Sequence, residues 1–134
     1  MSDVLAVRFQ RPRIGTAEAA ELALERFGLR GVLDELPSER DRNFRITTPA
    51  GERYVLKLAH ADESPEILDL QHRALERIAA RAPQLTMPRL VRSLGGQEAD
   101  IAHADSGIPH LARVLTWVPG REWARCSPQT PELL

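Results

Sequence analysis

The sequence predicts an α+β domain: a five- to six-stranded antiparallel sheet with one main packing helix and a second, N-terminal helix. Three observations carry that expectation. Two segments, 17–27 and 65–81, repeat apolar residues at the three-and-four spacing of an amphipathic helix. Between and after them lie short apolar runs bounded by turn residues, which read as strands. Their order is helix, three strands, helix, then two or three strands, with short turns that favour antiparallel neighbours.

The elements follow from the chain in order. Residues 1–15 carry Arg8, Arg11, Pro12 and Arg13 and read as an extended arm. Thr16 is the expected N-cap of the first helix, with Glu18 in its first turn. Ala20, Ala23, Leu24 and Phe27 recur at helical spacing, and Gly28 can close the helix in the left-handed conformation. Gly31–Leu36 is the first strand, ended by Pro37. The charged segment Ser38-Glu39-Arg40-Asp41-Arg42 turns the chain into a second strand, Asn43–Thr48. Pro49-Ala50-Gly51 turns it again into the third, Arg53–Ala59. Ser64 and Pro65 are a strong start signal for the second helix. Ile67, Leu68, Gln71, Leu75, Ile78 and Ala79 form its expected core face, with Asp69, His72, Arg73, Glu76 and Arg77 mostly opposite. Gln71, a polar group on that stripe, needs a partner there. Pro83 limits the helix. Leu90–Leu94 and 98–103 read as strands around a Gly95-Gly96 turn, and Leu111–Val118 as the last strand, broken by Pro119-Gly120. Residues 121–134 lack periodicity and read as a tether. The expected organisation is an arm (1–15), one lobe (16–120) and a linker (121–134).

The charge balance excludes some function classes. With 18 basic and 19 acidic residues and a net charge of −1, nothing favours a nucleic-acid or membrane-surface partner. Cys126 is the only cysteine, so there is no disulfide framework. His60, His72, His103 and His110 form no metal-ligand spacing, and no metal site is expected. No signal segment or membrane-span pattern is visible, so a cytoplasmic protein is the default expectation.

The third strand carries the sharpest chemical signal. Lys57 is the only lysine of the chain and stands in the apolar run Tyr54-Val55-Leu56-Lys57-Leu58. A buried ammonium needs anionic partners, and a nucleotide phosphate is one such partner. The alternative is a lysine snorkelling from an edge strand to solvent.

The motifs around Lys57 resemble, as an ordered set, the small ATP-binding lobe of the aminoglycoside phosphotransferase and choline-kinase-like family, which has the protein-kinase-like fold. They are Leu36-Pro37-Ser38-Glu39-Arg40-Asp41-Arg42-Asn43-Phe44, Tyr54-Val55-Leu56-Lys57, Leu68-Asp69-Leu70-Gln71 and Leu115-Thr116-Trp117-Val118-Pro119-Gly120. Within that family they look most like phosphotransferase domains fused to class-III, pyridoxal-phosphate-dependent aminotransferases and like hydroxylysine-kinase-like proteins. The resemblance spans about residues 10 to 125.

The resemblance implies a set of roles. Lys57 would contact the α- and β-phosphates of ATP, and Val55, on the same strand face, would pack on adenine. Ser38, Arg40 and, less securely, Arg42 would cover the phosphates from a turn that lacks the usual glycines; a solvated hairpin tip is the alternative. Thr116, Trp117 and Val118 would form the hinge against the adenine rim, although Trp117 could equally be packing. Gln71 occupies the place of the family's lysine-pairing glutamate. It could accept a hydrogen bond from Lys57 but supplies no counter-charge.

The same resemblance implies ATP with Mg2+ as cofactor, with the Mg2+ ligands and the catalytic aspartate in a second, C-terminal lobe that this chain does not contain. His103-Ala104-Asp105 matches a His-x-Asp motif only in spelling and reads as a hairpin turn. The expected function is therefore the nucleotide-binding half of a phosphotransferase acting on a hydroxyl or amino-alcohol substrate, inactive by itself. The alternatives are a non-catalytic binding or homodimerisation module, whose exposed lobe surface would pair with another domain or a second copy, and an unrelated α+β fold.

Overall fold

In the computed structural model, residues 12–103 and 107–119 are described. The N-terminal arm through residue 11, Ala104 to Ser106 of the expected turn, Gly120, Cys126 and the 121–134 tether lie outside the described residues.

Helix α1 spans Thr16–Phe27. It begins one residue earlier than the Thr16 cap predicts. Gly15 is the N-cap, with no side-chain cap, and its carbonyl accepts the Ala19 N–H at 2.9 Å. The entry is fixed by Ile14, which is buried in the same cluster as Ala19, a hydrophobic staple across the helix start. At the other end Gly28 takes φ 69°, and the Gly28 and Leu29 N–H groups bond the carbonyls of Leu24 and Ala23, both at 3.0 Å. This is a Schellman closure, which favours glycine because a side chain is strained at that φ.

Six strands follow: β1 (Val32–Leu36), β2 (Arg42–Thr47), β3 (Arg53–Leu58), β4 (Leu90–Val91), β5 (Asp100–His103) and β6 (Pro109–Thr116), with helix α2 (Pro65–Arg81) between β3 and β4. All pairings are antiparallel, in the order β1-β2-β3-β6-β4, and β5 also pairs with β6. The expected 90–94 and 98–103 strands do not pair across the Gly95-Gly96 turn in this register. Each instead joins β6, β4 at Val114–Leu115 and β5 at Pro109–Ala112. β6 is long enough to hold both along one edge.

Strand alternation gives the sheet two unlike faces. Phe44, Leu56 and Val114 are register partners across three strands, and all have zero exposure. With Ile46, Leu58 and Ala112 they pack against Ala19, Ala23 and Phe27 of α1. The wholly buried alanines of α1 let its backbone lie close to the sheet. Both expected helices are present, but α1, rather than α2, supplies the main cover of the core. α2 buries only Leu68 and His72. Its start matches the sequence: Ser64 Oγ accepts the Ile67 N–H at 3.4 Å, and Pro65 holds the first position. No helix among the described residues is long and apolar enough to cross a membrane.

Candidate functional site

The opposite sheet face carries the polar residues. Asn43, Lys57 and Arg113 are register partners on β2, β3 and β6, and the next row of that face is Arg45, Val55 and Leu115. Lys57 is half-buried. Burial, first, and the neighbouring Arg113 charge push its pKa below the usual lysine value, while Asp41 opposes them. Asn43 Oδ1, beside it in the row, is buried with no hydrogen-bond partner among the described residues.

The loop between β1 and β2 is pinned near this row by a contact that the sequence did not suggest. Asp41 Oδ1 accepts the backbone N–H of His60 at 3.0 Å and its ring Nδ1–H at 2.7 Å. His60 Nε2 lies 3.6 Å from Glu63 Oε2. Burial would raise the Asp41 pKa, but the two His60 hydrogen bonds and the His60 and Lys57 charges outweigh it and hold the carboxyl below its ordinary value. Ser38 is half-buried and Arg40 exposed in this loop. Arg42, expected near the phosphates, instead donates from Nη1 to Glu35 Oε1 at 2.9 Å.

Helix α2 differs from expectation in its rotation. Gln71 is exposed, and the next residue, His72, is 2% exposed. The packed face runs through Leu68, His72, Leu75 and Ala79, while Ile67 and Ile78 are 52% and 40% exposed. One residue along a helix is about 100° of rotation, enough to turn the glutamine out and the histidine in. Gln71 therefore does not take the place expected for a partner of Lys57. His72 meets β6 instead: Arg113 Nη1 donates to His72 Nε2 at 3.1 Å. His72 Nδ1 lies 3.1 Å from Glu98 Oε2, and Glu98 Oε1 in turn pairs with Arg73. Nε2 must be the acceptor, so the ring proton sits on Nδ1 and is donated to Glu98. Burial, Arg113 and Arg73 all hold the His72 pKa below the ordinary histidine value, against Asp69 and Glu76. Cavities of about 210 and 140 Å3 lie to either side of this ring.

The expected hinge is partly committed to the fold. The Thr116 N–H donates to the Arg89 carbonyl and its hydroxyl accepts the Arg89 N–H, both at 2.8 Å. The Trp117 N–H donates to the Arg53 carbonyl at 3.1 Å, and the Trp117 ring lies 5.7 Å from the Arg45 guanidinium carbon. These contacts tie Thr116 and Trp117 into the end of an interior strand, between β3 and the chain that leads into β4. Val118 is half-buried just beyond them.

Arg113, His72, Glu98 and the Asp41–His60 anchor escaped the sequence reading. Arg113 carried a usable signal, a single charge inside Leu111-Ala112-Arg113-Val114-Leu115, the pattern that singled out Lys57.

Three comparisons bear on this arrangement. Residues 32–134 match the phosphotransferase enzyme family. The chain is 26% identical over 133 residues to the hydroxylysine kinase of Danio rerio, covering 93% of this chain and 37% of that protein. Among solved structures, amicoumacin kinase hAmiN in complex with AMP-PNP, Ca2+ and Ami shares the fold, with a TM-score of 0.68 at 18% identity, over 90% of this chain and 34% of that one. The chain thus spans little more than a third of these relatives, and its six-stranded antiparallel sheet with two helices matches a kinase-like small lobe. With the family match covering most of its residues, the chain belongs to the phosphotransferase enzyme family.

Proposed function

We propose that this chain is the nucleotide-holding half of an ATP-dependent small-molecule phosphotransferase whose acceptor carries a hydroxyl or amino-alcohol group. The observation that carries the reading is Lys57, half-buried on the polar sheet face and register-paired with Arg113. A rigid strand that presents an ammonium group fixes a polyphosphate and offsets charge that develops during transfer. Val55, one row away on the same face, would pack on the adenine, and Val118 is the remaining hinge candidate for its rim. Ser38 and Arg40 would close over the phosphates from a loop that the Asp41–His60 contact already anchors. In the reaction the bond from the γ-phosphorus to its bridging oxygen breaks, a bond to the acceptor hydroxyl forms, and ADP leaves.

The hydroxyl proton must pass to a base outside the described residues, which we assign to a second lobe together with the acceptor pocket. The relative bound to AMP-PNP and Ca2+ makes a divalent metal part of this proposal. The residues here do not fit one. Asp41, the carboxylate whose charge acts on Lys57, is engaged by His60, so no step is assigned to a metal on this chain. By itself the chain is expected to show no turnover.

The test is nucleotide binding. Lys57→Ala is expected to weaken ATP about tenfold or more, the loss of one charge-assisted contact. Unchanged ATP affinity would sink the assignment of Lys57. A second reading, a non-catalytic dimerisation module, draws on the exposed Ile67, Leu70 and Ile78 of α2. Light scattering separates the two, because a clean monomer at high concentration counts against that reading.

A further inference from the structure

We propose that Arg113 is a second phosphate-contacting residue of the nucleotide site, held beside Lys57 by the His72 ring and, through it, by Glu98. The inference rests on the nucleotide reading of Lys57 and goes beyond it.

The first support is placement. Lys57 and Arg113 are direct cross-strand partners on one sheet face. Like charges directly opposite each other are unfavourable in a sheet. Here both are also half-buried, and burial disfavours both charged forms. An anion that spans the two cations relieves both effects, and adjacent phosphates of a nucleotide di- or triphosphate have that reach. Asp41 favours both charged forms and Glu63 that of Arg113, but both carboxylates are shared with His60. Asp41 accepts two hydrogen bonds from His60, and Glu63 sits against the far nitrogen of that ring.

The second support is how Arg113 is held. A guanidinium normally seeks a carboxylate, with which it forms a fork. Arg113 instead donates one N–H to a neutral ring nitrogen, His72 Nε2, at 3.1 Å. That contact fixes the direction of the side chain without neutralising it. The ring in turn is fixed, buried at 2% exposure and bonded to Glu98. Glu98 keeps the Nδ1 proton in place, so Nε2 remains an acceptor. In this chain the helix orients an arginine on the last strand, and the charge of that arginine stays available to a ligand. His72 is a positioning residue and Arg113 a binding residue.

The experiment compares ATP, ADP and adenosine binding to the 134-residue chain by calorimetry, with folding checked by thermal melting. For the wild type, ATP is expected to bind more tightly than adenosine. Arg113→Met should weaken ATP about tenfold or more and leave adenosine within about twofold. Arg113→Lys should keep part of the ATP preference, and compared with Arg113→Gln it decides the matter should the methionine variant not fold. His72→Phe should weaken ATP by a smaller factor. His72→Gln should restore it, since its carbonyl can accept from Arg113 while its amide donates to Glu98. An Arg113→Met chain that binds ATP as the wild type does, or loses ATP and adenosine equally, overturns the proposal while the Lys57 reading stands. A wild-type chain that binds ATP no better than adenosine overturns both.

Discussion

The two faces of the one sheet are built on opposite principles. One face is a continuous apolar surface in which Phe44, Ile46, Leu56, Leu58, Ala112 and Val114 are fully buried beneath α1. The other alternates with it residue by residue and carries Asn43, Arg45, Lys57 and Arg113. The first face stabilises the fold through non-directional burial, and its residues are interchangeable with others of similar volume. The second gains little stability from its charges, because burial works against both Lys57 and Arg113, and the Arg113 charge works further against Lys57. A strand period of two therefore lets the same few strands serve a core and a charged surface, and mutations one residue apart should have unrelated consequences.

That contrast can be broken most directly at Phe44. Phe44→Ala should destabilise the chain by about 3–5 kcal/mol, measured as a lowered urea midpoint at unchanged m-value. At the register neighbour of Asn43 the expectation reverses. Lys57→Met should change stability by no more than about 0.5 kcal/mol while it removes phosphate affinity. A loss as large as that of Phe44→Ala would make Lys57 a structural residue and end the division between faces.

The third prediction concerns pH. His72 is held neutral, with a folded pKa below its unfolded value, so the unfolded chain takes up the proton first. Its contribution to stability is present above about pH 6.5 and is lost as the pH falls through the folded value. His110, also lowered chiefly by burial, acts in the same direction. The urea midpoint should therefore fall between neutral pH and about pH 5, and His72→Gln should flatten that fall without abolishing it. An unchanged slope in the variant would show that the ring is not buried against Arg113. The smallest effect is expected at the exposed pair Arg42–Glu35, 2.9 Å apart. Glu35→Gln should cost less than about 0.5 kcal/mol, and less still in high salt.

Local signals in the sequence predicted the fold well where one residue type fixes one geometry. Gly28 at a left-handed helix end, Ser64-Pro65 at a helix start and the alternation through Tyr54–Leu58 each have one reading, and each was met. The Thr16 cap failed because the buried Ile14 pulls the helix start back to Gly15. The rotation of α2 was not legible for a related reason. Ile67, Leu68, Leu70, Leu75 and Ile78 spread over a wide arc, so the apolar pattern permits several seats against the sheet.

The sequence by itself determined the order of the two helices among the described residues and the three-strand hairpin run, and it marked Lys57 as the cation to follow. Periodicity and turn chemistry act over a few residues and survive without the rest of the chain. Tertiary structure alone decided that α1 covers the core, that His72 rather than Gln71 faces inward, and that Arg113 stands beside Lys57. Those outcomes depend on contacts between residues 41 and 56 positions apart, His72 with Arg113 and Lys57 with Arg113. The identity of one partner carries no trace of the other until the sheet brings them together.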